Sequence, residues 1–213
     1  MIQLLYRGDF ALFLTILLAI VISLSFHEFG HAFVAKLYGD DTAQRAGRLT
    51  LNPLAHLDFM GLLMVVMVGF GYAKPVPTNP RNFNSRWAHL FISAAGPGMN
   101  LLVAIIALNF FNASLHWGWP FMATRGAHEF FQLLIGINLI LMVFNLIPLG
   151  ALDGHYMLPY FLTRKWAAYY QYYNGRYGNM ALLGMVMLSL IGVPVFRFVW
   201  SFGNALLPFI SFI

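Results

Sequence analysis

Long apolar runs without a single charge constrain this chain more than any other feature. Phe10–Leu24 and Leu101–Phe111 contain no ionisable side chain. A membrane β-barrel would show ~10-residue stretches of apolar/polar alternation instead. Helices satisfy their own backbone groups in lipid, so continuous runs of this kind specify helical spans. Composition agrees: of 213 residues, 60% are hydrophobic and 9% charged, against roughly 25% charged in a soluble domain. The net charge of +5 comes from 12 Lys+Arg and 7 Asp+Glu scattered along the chain. They form no dense patch that could hold a phosphate backbone. A soluble enzyme, a disordered tail and a nucleic-acid binder are therefore excluded. Cysteine is absent, which removes disulfide and thiol chemistry. The expected class is an all-α polytopic membrane protein.

A spanning helix needs ~20 apolar residues. The first span is expected at Phe10–Leu37. No small-residue cleavage site follows residues 10–26, so they read as a span and not as a cleaved signal. Tyr38–Asp58 is polar and punctuated by glycine and proline. Phe59–Tyr72 is apolar but only about 14 residues long, the length of a re-entrant segment. Lys74–Pro80 holds three prolines and must be extended or turned. Trp87–Phe111 is a second span, followed by an interfacial loop carrying Trp117 and Trp119. Phe130–Leu162 can span but should break at Pro148 and Gly150. Thr163–Tyr177 is aromatic and basic, hence interfacial, and Met180–Phe212 breaks at Gly192–Pro194. The expectation is about 5–6 membrane segments, one of them re-entrant, with short extended or β pieces near the active site. They would form a single membrane-embedded domain over 1–213, with a core at about 10–162 and C-terminal helices at about 179–213.

Within the first span stands His27-Glu28-Phe29-Gly30-His31. On a helix, positions i and i+4 share a face, so both imidazoles can grip one metal ion. The adjacent Glu28 can then serve as general base on metal-bound water. With 7 His and 2 Glu in the chain, such a motif arises by chance with an expectation of roughly 0.002. The competing reading, packing histidines, is costly at membrane depth, where ionisable residues are rare. A hydrolytic zinc site wants three protein ligands and an open position. Of the remaining acids (Asp9, Asp40, Asp41, Asp58, Glu129, Asp153), only Asp153 lies inside a long apolar region beside a helix break. Pro148, Gly150 and Gly154 should unwind the chain there, and irregular backbone at that depth lines a cavity or is buried in protein. The alternative for Asp153 is a cap at a kinked helix.

Taken together, the motif at 27–31, Ala95-Gly96-Pro97-Gly98-Met99-Asn100 and Leu152-Asp153-Gly154 resemble the site-2 protease family of intramembrane zinc metalloproteases. Asn145 and Pro148 stand before the aspartate as in that family. Arg48–His56 and Lys74–Pro77 are similar to its short stand-alone prokaryotic branch. The resemblance covers about residues 10–160. It implies one Zn2+ held by His27, His31 and Asp153, with Glu28 as base. It also implies Asn145, and by the same logic Asn100, as groups that orient substrate or stabilise the oxyanion. The implied activity is endoproteolysis of membrane segments in single-span substrates during regulated intramembrane proteolysis. Two departures are Leu149-Gly150-Ala151 in place of a proline-rich stretch and His155 after Gly154. The other classes are a catalytically silent metal-binding scaffold and a metal-ion transporter. Glu28 argues against the first, and the lack of internal repeats argues against the second.

Ligand depth adds a topology. His31 lies ~9 Å before the end of its span and Asp153 ~14 Å before the end of its own. The depths match only if both spans run in the same direction, with an odd number of crossings between them. Trp87–Phe111 supplies one, so Phe59–Tyr72 should return on its own side. Nine cations (Lys36, Arg45, Arg48, Lys74, Arg81, Arg86, Arg164, Lys165 and Arg176) then share one side, and Arg7 and Arg125 the other. Positive residues mark the cytoplasmic face, which puts the site nearer the cytoplasm of a plasma or inner membrane and the N-terminus outside. His56, Asn52 and Asn100 can line a water route. His56 can also be a donor behind the metal site, a substrate contact, an extra ligand in a resting state or a plain loop histidine. His155 can face the metal or turn away. Arg48–Leu51 and Val76–Thr78 are expected to offer a sheet edge to an unwound substrate.

Overall fold

The computed structural model of the protein describes every residue except Phe70, and only the backbone of Leu190. Eleven α-helices are present among the described residues. They are α1 (Ile2–Tyr6), α2 (Phe10–Leu37), α3 (Thr42–Arg45), α4 (Phe59–Val68), α5 (Ala88–His116), α6 (Arg125–Asn145), α7 (Asp153–Met157), α8 (Arg164–Tyr173), α9 (Asn179–Leu190), α10 (Val195–Ala205) and α11 (Leu207–Ile210).

Two expectations are corrected. Among the described residues three helices, against the about five to six membrane segments expected, are long and apolar enough to cross a membrane: α2, α5 and α6. The helix α4 has 10 residues, α9 has 12 and α10 has 11, each well short of the ~20 a crossing needs. Nor does any β-strand form among the described residues. Around Arg48–Leu51 and Val76–Thr78, side chains take the acceptors that a ladder would have used. The Arg48 guanidinium donates to the carbonyls of Lys74 and Pro75, and His56 Nε2 lies 2.7 Å from the Thr50 carbonyl. Pro75 and Pro77 lack the amide that a ladder requires.

The three long helices form the core. Ala19 of α2, Ala104 and Ala107 of α5, and Leu134 and Leu139 of α6 are buried together. Without a hydrophobic drive between helices in lipid, small residues and buried polar pairs are what let spans pack. The helix α5 continues through Pro97 without a break. The helix α6 ends at Asn145, just before Pro148, as the missing amide dictates. The helix α10 lies against α6, with the Phe196 ring tilted on Phe144 at 5.6 Å and Gly203 against Leu139. The tail then reaches α5, where Asn109 Nδ2 donates to the Ile210 carbonyl at 2.8 Å.

The two ends of the segment between α2 and α5 are tied together where α2 stops, while α4 also touches α1. Asp40, fully buried, accepts from the amides of Thr42 (3.1 Å) and Asn79 (2.6 Å), from the Thr42 hydroxyl, and from Asn82 Nδ2 (2.9 Å). The Asn84 amide donates to the Tyr38 carbonyl at 2.9 Å. Beyond α4 the chain doubles back. Tyr72 lies so close to Gly61 that a Cβ on Gly61 would sit 1.9 Å from its carbonyl oxygen, and the Lys74 amide reaches the His56 carbonyl at 2.9 Å. The segment 56–74 thus leaves and returns at one point.

Candidate metal centre

The helical spacing of α2 puts His27 and His31 on one face, with their rings 4.7 Å apart. Their Nε2 atoms stand 3.1 Å from each other. Asp153, the first residue of α7, completes the group. Its Oδ2 is 3.2 Å from His27 Nε2 and its Oδ1 is 3.4 Å from His31 Nε2. One ligand atom from each of the three residues lies within 4.8 Å of the others.

The outer nitrogens are already committed. His27 Nδ1 is 2.6 Å from Asn100 Oδ1, and His31 Nδ1 is 2.7 Å from the Ile92 carbonyl. Both partners are acceptors, so both Nδ1 atoms carry the proton and both Nε2 lone pairs point inward. Two such lone pairs facing each other, beside a carboxylate oxygen, repel unless a cation sits among them. Asp153 Oδ2 is buried and has no hydrogen-bond partner, a costly state for a carboxylate. The donor set, two neutral imidazoles and one carboxylate, is that of catalytic zinc sites. On these observations the residues fit a metal ion of the zinc type.

Neighbouring elements shape the pocket. A Cβ on Gly96 would lie 2.3 Å from His31 Nε2 and 2.6 Å from His27 Nε2. Only glycine lets α5 approach the imidazoles this closely. Asn100, fully buried, passes the His27 contact onward. Its Nδ2 donates to the Ser23 carbonyl (3.1 Å) and to Asn138 Oδ1 (2.8 Å). In turn, Asn138 Nδ2 donates to Ser23 Oγ and to the Leu134 carbonyl, both at 2.8 Å. One polar chain thereby pins α2, α5 and α6 together behind the site. In the sequence Asn138 shows only as an amide inside an otherwise apolar helical stretch.

Glu28 is buried beside His27. The facing cation is Arg48, buried as well. Burial pushes the Arg48 guanidinium down from its ordinary range, and the Glu28 carboxylate partly restores it. In the sequence Arg48 stands out as the start of an expected sheet edge, not as the charge that acts on Glu28.

The other candidates lie as follows. Asn145 ends α6, and one N–H of its amide returns to the Leu141 carbonyl at 3.0 Å. Asn52 is exposed, and its side chain caps the short 3-10 turn Pro53–Ala55 by accepting from the Leu54 amide at 3.1 Å. His56 is fully buried on Thr50, outside the His27–His31–Asp153 group, and its Nδ1 has no partner. His155 Nδ1 turns to Asn174 Nδ2 at 2.7 Å and to the Tyr170 hydroxyl at 3.2 Å, and is likewise outside the group.

A bundle of apolar helices with an inward-facing His/His/Asp group, drawn from a HExxH helix and a later helix start, is a candidate metal site in a chain with three helices long and apolar enough to cross a membrane. The sequence pattern of peptidase family M50 matches residues 15–118 and 120–192, and the chain belongs to that family. YwhC of Bacillus subtilis (strain 168), described as a candidate zinc metalloprotease, is 42% identical over 144 residues, 66% of this chain and 65% of that protein. Rip2 of Mycolicibacterium smegmatis, with the same kind of description, is 31% identical over 152 residues, 67% of this chain and 55% of its own length. Rip2 of Mycobacterium tuberculosis is 30% identical over 155 residues, 70% of this chain and 57% of its own. The match therefore spans less than two thirds of the length of these relatives. No solved structure matches the chain significantly.

Proposed function

We propose that the protein is an intramembrane zinc metalloendopeptidase of the site-2 protease type that cleaves membrane segments of single-span proteins in regulated intramembrane proteolysis. One observation carries the reading: two tautomer-locked Nε2 atoms and an unpartnered carboxylate oxygen converge at the centre of an apolar helix bundle. In this reading His27, His31 and Asp153 hold one Zn2+, within a single membrane-embedded domain. When bound, zinc supplies Lewis acidity, lowering the pKa of water toward neutrality and polarising a carbonyl. Glu28 takes the proton from the attacking water and delivers it to the leaving amine. Asn145 keeps a second N–H beyond the one given to Leu141, and donates it to the developing oxyanion. Asn100 holds the His27 ring in the tautomer and orientation that ligation needs. A substrate helix must unwind locally, because its carbonyls are otherwise engaged.

The reading extends to placement in a plasma or inner membrane, with the site nearer the cytoplasm and the N-terminus outside. The clustering of the loop cations with the α2 C-terminus and the α5 N-terminus supports that orientation. The test is cleavage of a single-span reporter by the reconstituted chain and by Glu28→Gln. Glu28→Gln should retain zinc and lose at least about 100-fold in rate; equal cleavage by both would refute the mechanism.

A further inference from the structure

The exposed face of α8 has no part in the metal centre. Arg164, Lys165, Trp166, Tyr169, Tyr172 and Tyr173 are all exposed on it. The inner face presents Ala167, Tyr170 and, just past the helix end, Asn174. The helix packs chiefly on its own chain neighbours, Leu158–Phe161 and Asn174–Gly178. Its aromatic side chains and Lys165 frame an open cavity of about 540 Å3.

The charge on this face is of one sign. Among the described residues Arg164, Lys165 and Arg176 pair with no carboxylate. No acidic residue follows Asp153 in the chain. The helix joins the end of the bundle where α5 begins: Tyr160, just before it, donates to the Arg86 carbonyl at 3.0 Å and stacks on Trp87 at 5.5 Å. A short amphipathic helix bearing Trp, Tyr and cations that have no carboxylate partner, at the end of a bundle of apolar helices, matches the headgroup layer. Its complement is an anionic phospholipid.

The inner face of the same helix grips the turn that carries Asp153. The Tyr170 hydroxyl donates to the Pro148 carbonyl at 3.0 Å. Asn174, buried in a π turn, accepts from the Gly150 amide at 2.9 Å and donates to the Gly150 carbonyl at 3.1 Å. Its Nδ2 also stands 2.7 Å from His155 Nδ1. The clamp therefore bears on residues before and after Asp153. Such π turns are frequent at functional positions.

We propose that α8 docks anionic phospholipid headgroups and that this docking, transmitted by Asn174 and Tyr170, holds the Asp153 turn in place. The significance of that turn rests on the metal reading above; the docking and its transmission do not. Asn174 acts here as a positioning residue.

The test uses the full chain in phosphatidylcholine nanodiscs with and without phosphatidylglycerol. Brominated lipids report contact with Trp166, isolated by difference from Trp166→Phe. Brominated phosphatidylglycerol should be enriched over brominated phosphatidylcholine at Trp166 by at least about fivefold, and the enrichment should fall with salt. It should vanish in R164Q/K165Q/R176Q. Equal quenching by the two lipids, persistence in the triple variant, or exclusion of both lipids by a protein occupant would each overturn the docking. Hydrogen exchange of the 149–154 amides reads the transmission without needing zinc. Phosphatidylglycerol should slow it several-fold in the native chain and leave it unchanged in Asn174→Leu, whose Trp166 quenching reports that α8 is still docked. Tyr170→Phe, which removes one hydroxyl, should show a weakened lipid effect. The same lipid dependence in the native chain and in Asn174→Leu, or none in either, would overturn the transmission.

Discussion

Asn100 illustrates how much a single amide can decide. It accepts from His27 Nδ1 and is itself held by Asn138 and the Ser23 carbonyl. Partners of this kind behind a ligating histidine set its tautomer and basicity, and their loss typically costs 10–100-fold in metal affinity. Asn100→Leu should therefore weaken zinc binding by about 10–100-fold in a chelator competition. Unchanged affinity would show that the His27 ring needs no such support. Asp40 is the second decisive residue. Burial acts to raise its pKa, but hydrogen bonds from Thr42, Asn79 and Asn82 outweigh that and hold the carboxyl below its ordinary value of 3.8. With the folded pKa depressed, the stabilisation is present above the ordinary value and is lost as pH falls through the folded one. Thermal unfolding in detergent should show the native chain losing stability as pH drops below about 4, while Asp40→Asn starts less stable and changes less over that range. Parallel pH profiles would rule out this role for Asp40.

At the scale of elements, the excursion through α4 is the part that local sequence describes least well. Phe59–Tyr72 reads as one apolar run, yet the helix stops at Val68 and residues 71–74 fold back along it, with Phe70 outside the described residues. What holds the return is backbone against backbone at Gly61, together with the Lys74–His56 bond. Gly61→Leu should expose 71–79 to limited proteolysis while α2, α5 and α6 remain protected in hydrogen exchange. An unchanged digestion pattern would mean the return is held elsewhere. The lost sheet edge has the same origin. A guanidinium and an imidazole satisfy the carbonyls of this region, so its backbone needs no strand partner.

For the whole molecule, the arrangement makes one end of the bundle polar, basic and loop-rich. Asp40 ties the loop after α2 to the segment before α5, and Tyr160 ties the chain after α7 to Arg86. Because the chain has no cysteine, single-cysteine labelling maps it directly. Asp41→Cys and Arg81→Cys should react with an impermeant reagent from the same side of the membrane, and His116→Cys from the other. Labelling of Asp41→Cys and Arg81→Cys from opposite sides would break both the topology and the depth argument for Asp153.

Much of this protein is local, and local features are legible in a sequence. Span α2 runs over Phe10–Leu37 as its apolar run requires, and the i, i+4 spacing alone puts His27 beside His31. Asp153 stood out because only seven acids exist and it lies next to helix-breaking residues. Contacts between distant segments are different. The Asn100–Asn138 and Asn138–Ser23 bonds join residues 38 and 115 positions apart, and the Asn174–Gly150 clamp joins residues 24 apart. No periodicity encodes such pairs, because a buried amide reads the same whether it braces a metal ligand or caps a helix. The sequence by itself determined the lipid-compatible helices and which two imidazoles share a face of α2. The tertiary structure alone decided which amides brace those imidazoles, and that, among the described residues, Arg48–Leu51 and Val76–Thr78 are loops and not strands. Spacing sets what one helix can present, whereas the partner that a polar side chain meets depends on how separate helices pack.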